Sequence, residues 1–192
     1  MADLVEMFDR AVHQFGARVS AVGDRWRAPT PDTEWDVRAL VNHVLGENLW
    51  APPLLGGSTI AEVGNRFDGD QLGDDPGAAW IGAAELSIAA VRQEAVLART
   101  VHVSFGDISG EEYVTQLVCD HVVHGWDLAR ALGADERLDA DLVDFALAYF
   151  RPQVDGWRAA GVFGPAVEVP DGAGPQDQLI GLTGRQPAAA AR

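Results

Sequence analysis

The chain has 192 residues and a formal net charge of −15, and all 14 of its basic residues are arginine. Such an acidic chain repels phosphate backbones and anionic membranes, which argues against nucleic acid as a partner. No stretch reaches the roughly 20 apolar residues of a membrane span, no charged-then-apolar leader opens the chain, and the single cysteine, Cys119, rules out an internal disulfide, so the cytoplasm is the expected address.

A hydrophobic fraction of 47 % is enough to bury one core without staples. Residues 1–187 are expected to form a single domain, and the Ala-rich residues 188–192 a disordered tail. In chain order, Leu4, Met7, Phe8, Ala11, Phe15, Val19 and Val22 recur at helical steps, with Gly23 as a stop. After the Pro29-Thr30-Pro31 loop, Asp36 is placed to cap a second helix that carries Leu40, Val41, Val44 and Leu45 and ends before Pro52-Pro53. Residues 52–76 are rich in Gly, Asp and Pro. They read as a long connection with one helical turn near Ile60–Val63, and connections of that length are often functional.

A third helix is predicted from Gly77 to Ala98, followed by a strand-like alternation over Val101–Phe105. Ser109, with Glu112 three residues later, has the form of a capping box. It opens a fourth helix from Gly110 to about Leu132, which Gly133 can stop. A fifth helical segment spans Asp139 to Phe150. The remainder reads as short extended pieces and turns, with a last short helix at Gln176–Leu182. Four long helices joined by a long crossover connection predict a mainly all-α fold, a four-helix bundle, with any metal site built between facing helices.

The densest chemistry is Asp120-His121-Val122-Val123-His124-Gly125-Trp126-Asp127. At about 100° per residue, Asp120, His124 and Asp127 fall within roughly 60° of one another. Asp120 and His124, one turn apart, can reach a common point beside the apolar arc of Val114, Leu117 and Leu128. A carboxylate and an imidazole there suit a divalent metal ion; a direct Asp–His pair is the alternative. Asp127 can hold the second imidazole nitrogen of His124 or be a surface charge. His121 falls inside the apolar arc; it is a rival ligand, paired with His124 at i, i+3, but the preferred reading is a core histidine bonded to a carbonyl.

On the second helix, His43 borders the core and reads by itself as structural. Glu47, one turn on, is open to three readings: ligand, general base or exposed glutamate. His13 and His102 have no partners at ligand spacing. Cys119 points away from Asp120 and reads as a free thiol, buried or half-buried. The faces of Arg38 and Arg130 lie off the Asp120/His124 face. No phosphate loop and no Gly-x-Ser-x-Gly nucleophile motif occurs.

The segments Trp35–Val44 and Asp120–Arg130, with Phe163–Pro170 and Leu182–Pro187 near the end, resemble the DinB-like superfamily. The closer resemblance is to the metal-binding N-terminal domain of mycothiol-dependent maleylpyruvate isomerase and its single-domain relatives. It implies a DinB-like four-helix bundle with a metal held by His43 from the second helix and by Asp120 and His124 from the acid-x-x-x-His pair. Zinc is the first expectation; nickel, iron and manganese suit the same ligands. It also implies mycothiol as a co-substrate, an electrophilic small molecule as the second substrate, S-transfer or isomerisation as the chemistry, and a homodimer. The second domain of the isomerase has no clear counterpart in the roughly sixty residues after Leu132, which argues against maleylpyruvate itself as substrate. A metal-binding or structural bundle without catalysis is the alternative.

Overall fold

The structure is a computed structural model that describes residues 3–187; the tail assigned to 188–192 lies outside the described residues. Four helices form the bundle: α1 (Leu4–Ser20), α2 (Val37–Leu55), α4 (Pro76–Val91) and α5 (Gly110–Ala131). Packing runs around a closed ring, α1 on α5, α5 on α2, α2 on α4 and α4 on α1. The apolar stripe of α1, from Met7 through Phe15 to Val19, is buried against Val114, Leu117, Val118 and Val122 of α5 and against Trp80 of α4. Apolar burial of this kind, more than helix propensity, is what holds such helices together.

Each long helix begins on a side-chain cap. Asp3, Asp36, Asp75 and Ser109 accept from the backbone N–H groups of Val5, Ala39, Ala78 and Glu112, satisfying donors that the first turn leaves free. The capping box expected at Ser109 is only half formed, because the Glu112 carboxylate turns instead to Gln116 and Tyr149. The complete box is in the crossover, where Thr59 and Glu62 bond reciprocally at the start of α3 (Ile60–Val63).

Several predicted boundaries are corrected. Helix α2 does not stop before Pro52-Pro53 but continues to Leu55. The prolines lack N–H groups, yet their carbonyls accept from Gly56 and Ser58, and burial of Ala51, Leu54 and Leu55 holds this last turn in place. Helix α4 ends at Val91 rather than Ala98. Ala95 adopts a left-handed φ of 56°, and the chain reverses through a short 3-10 turn at Val96–Ala98 that buries Val96. The strand-like piece is one arm of an antiparallel hairpin, β1 (Thr100–Val103) and β2 (Gly106–Ser109), with Val103 opposite Gly106 and Ser104-Phe105 at its tip. Gly110, the first residue of α5, lies against the Val96 carbonyl, where a β-carbon would collide with backbone.

Beyond α5, Gly133 takes a left-handed φ of 58° and ends the helix as expected. Helix α6 (Ala140–Phe150) packs on α5 and on α8 (Pro175–Leu182). Between them lies a helix that periodicity missed, α7 (Val154–Ala159). At six residues it is too short to show a repeat. Its Trp157 stacks with Phe150 and Phe163, which brings the C-terminal segment over one end of the α2–α5 seam. No helix among the described residues is long and apolar enough to cross a membrane.

Candidate metal centre

Helices α2 and α5 bring His43, Asp120 and His124 together, with one ligand atom from each lying within 4.8 Å of the others. Nε2 of His43 is 3.5 Å from Asp120 Oδ2, and Nε2 of His124 is 3.4 Å from Asp120 Oδ1. Both separations are long for an N–H···O bond. They match the spacing of two ligands on one tetrahedral ion, about 3.4 Å when each bond is about 2.1 Å.

The second nitrogen of His124 fixes the tautomer. Nδ1 lies 3.0 Å from Asp127 Oδ2, and an ionised carboxylate can only accept, so Nδ1 carries a hydrogen, and once the ring gives up its second proton the Nε2 lone pair faces Asp120. Asp120 Oδ2 is buried and has no hydrogen-bond partner. Lone pairs and a carboxylate that converge in this way need a positive charge among them, either protons or a metal ion. Burial opposes charge on His124, yet Asp120 and Asp127 outweigh it and raise the imidazole to about 9. His43 is raised in the same sense: Asp120 overcomes the effect of its burial. Burial also disfavours the Asp120 anion, but the two histidines hold it well below the usual carboxylate range. A divalent cation replaces those protons with a charge that all three donors share. The N,N,O donor set, the orphaned oxygen and the ligand spacing all fit such an ion.

Around the three donors, Trp35 stacks against His43 at 4.8 Å and lies 5.6 Å from His124. Asp127 is wholly buried and receives the Arg185 guanidinium on both of its oxygens, at 2.8 to 3.1 Å. His43 and His124 line a cleft of about 580 Å³ that Glu47, Tyr113, Trp50 and Phe163 also line. Burial and the nearby Asp120 push the Glu47 carboxyl up to about 7.

A family model for the mycothiol maleylpyruvate isomerase N-terminal domain matches residues 8–129. The chain belongs to that family. Two uncharacterised proteins, from two strains of Mycobacterium tuberculosis, are each 30 % identical to it over 188 residues, covering 92 % of this chain and 94 % of the relative. No solved structure matches.

Within this isomerase N-terminal domain family member, the matched span holds His43, Asp120, His124 and Asp127, and Arg185 lies beyond it. His121 is a core residue, as its position in the apolar arc indicates. Its Nδ1 donates to Leu117 O at 2.7 Å and its Nε2 accepts from Asn48 Nδ2 at 3.0 Å. Asn48 in turn accepts from Ser87 Oγ at 2.6 Å, so the buried chain of groups is satisfied. Glu47 stays outside the three-donor set but faces the cleft. Cys119 is fully buried, and burial together with Asp120 raises its thiol well above the ordinary range. Arg38 pairs with Asp70, and Arg130 pairs with Glu136. His102, without a partner at ligand spacing in the sequence, meets Asp107 across the hairpin at 2.7 Å.

Sequence reasoning assigned no role to Arg185 or Trp35, although both lie in segments that carry the family resemblance. The signal available for Arg185 was its place in Leu182–Pro187, a short run whose pairing with α5 only the tertiary fold reveals.

Proposed function

We propose that the chain binds one divalent metal ion through His43, Asp120 and His124 and uses it to activate a low-molecular-weight thiol of the mycothiol type for S-transfer or thiol-assisted isomerisation. Zinc is the first choice of ion, and nickel, iron(II) and manganese suit the same donors. The observation that carries this reading is the convergence of His43 Nε2, His124 Nε2 and the Asp120 carboxylate, whose Oδ2 has no hydrogen-bond partner, in the lining of one cleft. Bound there, the ion supplies Lewis acidity that favours the thiolate form of a thiol.

The chain's own residues do the rest. Asp127, held by Arg185, keeps the Nδ1 proton of His124 in place and aims Nε2 into the cleft. Glu47, whose carboxyl faces the cleft beside the three donors, can take the thiol proton and return it at the end of the reaction. Trp35 packs against the His43 ring and limits its movement. The chain's only cysteine, Cys119, is buried and held protonated, so the nucleophilic sulfur comes from outside the chain. The family's own description joins mycothiol to an isomerase and supports the choice of thiol.

Zinc-, nickel- or manganese-loaded protein, incubated with mycothiol and a chromogenic electrophile, tests the reaction. Metal-dependent loss of the electrophile supports it. Absence of turnover with every metal and with mycothiol, cysteine and glutathione contradicts it.

A further inference from the structure

Of the five large apolar side chains exposed among the described residues, Ile81 and Leu86 stand on α4 away from the cleft, and the other three line it. Phe105 at the hairpin tip is 66 % exposed and Val162 after α7 is 54 % exposed, and both line it, as does the exposed Ile60 of α3. Inside, Trp50, Trp157 and Phe163 continue an apolar wall. Exposed apolar groups gathered around a concavity mark a site for a ligand with an apolar body, and about 580 Å³ suits a molecule of one or two rings.

Carboxylates outnumber the other charged groups of the lining, which also holds the two histidines, Gln116 and the Tyr113 hydroxyl. Asp32, Glu34, Glu47 and Asp120 face the cleft, and Arg185 is the only basic residue among the lining groups other than the two histidines. Its guanidinium is already bound to Asp127 and the Thr183 carbonyl. Asp32, Glu34 and Glu47 form no ion pair among the described residues. A substrate carboxylate entering the cleft would meet the anionic Asp32 and Glu34, with Glu47 charged in part at neutral pH, and no free guanidinium. It could be neutralised only at the metal position, which the thiol needs.

We infer that the second substrate of this cleft is an uncharged electrophile with an apolar, ring-sized body, and that carboxylate electrophiles are excluded. The inference rests on the metal–thiol reading for the word electrophile; the selection for an uncharged ligand stands on the lining alone.

Calorimetric titration of the zinc-treated full chain with 2-naphthamide and with 2-naphthoate, a matched neutral and anionic pair, tests it. The amide is expected to bind on the order of tenfold or more tightly than the carboxylate. Phe105→Ser and Val162→Ser, at exposed positions that leave the core intact, should each weaken the amide severalfold. Glu34→Gln combined with Asp32→Asn should narrow the gap between the probes. Equal or tighter binding of the carboxylate overturns the inference, as does amide binding that is indifferent to Phe105→Ser and Val162→Ser. Zinc content is measured on the same sample. Protein without zinc that still prefers the amide sinks the metal reading alone, and zinc-loaded protein that prefers the carboxylate sinks this inference alone.

Discussion

Asp127 accepts three hydrogen bonds from the guanidinium of Arg185, 58 residues further along the chain, and with the same Oδ2 it holds Nδ1 of His124 at 3.0 Å. The C-terminal segment thereby reaches the centre of the α2–α5 site through one buried carboxylate. Removing the guanidinium leaves Asp127 buried with only His124 to balance it, and frees the imidazole to turn.

Arg185→Ala is therefore expected to weaken metal binding by about 10- to 100-fold and to cost about 3 kcal/mol of folding stability. Arg185→Lys, which restores charge but not the planar fork, should recover part of both. Competition against a chromophoric chelator measures the first effect and urea denaturation the second. Unchanged metal affinity in Arg185→Ala would show that Arg185 only tethers the segment.

On the proposed reading, an ion would compete with protons for the same donors. His124 holds its proton up to about 9 in the metal-free chain, against 6.5 for an unperturbed histidine. Binding of an ion at pH 7 should release at least about one proton, and affinity should rise about tenfold per pH unit until the imidazole titrates. Calorimetry in buffers of different ionisation enthalpy reads the proton count directly. The folding contribution has the opposite sign. A raised folded-state pKa stabilises the metal-free protein fully below 6.5, and that contribution is lost as pH rises through about 9. The metal-free melting temperature should fall across that window.

His121 and Asn48 separate structure from chemistry. Asn48→Ala strips His121 Nε2 of its partner inside the core and leaves Ser87 Oγ only the Ala84 carbonyl. It should destabilise the fold by about 2–3 kcal/mol while leaving metal stoichiometry intact. A large loss of bound metal in folded Asn48→Ala would place this network in the site.

Glu47→Gln removes the cleft carboxyl that titrates at about 7 but none of the three metal donors. Metal affinity should stay within a fewfold of wild type, while the pH profile of any thiol reaction loses the limb that Glu47 supplies, which the charge of a bound ion places below the metal-free value of about 7. An unchanged profile would assign that proton to another group.

Much of this was legible in the sequence because it is local. The i, i+4 pair Asp120/His124, the i, i+3 bond to Asp127, the cap at Asp36 and the stop at Gly133 follow from helical spacing and backbone chemistry alone. Periodicity could not join His43 to Asp120, because they meet only when α2 packs on α5, and a family resemblance supplied that link. The misplaced boundaries share one cause. At Pro52-Pro53 and after Val91, local signals were outweighed by buried apolar contacts at Leu54, Leu55 and Val96. Arg185 and the cleft wall at Phe163 were out of reach because their partners lie across the fold, in a segment without a repeating pattern.

Metal analysis of protein purified without a histidine tag tests ligation by His43, Asp120 and His124 most directly. One equivalent of a divalent ion is expected in the wild-type chain, lost in folded His43→Ala, Asp120→Asn and His124→Ala and kept in Glu47→Gln. A wild-type chain that takes up no zinc, nickel, iron or manganese even on reconstitution, or an ion retained in all three ligand variants, would contradict the site.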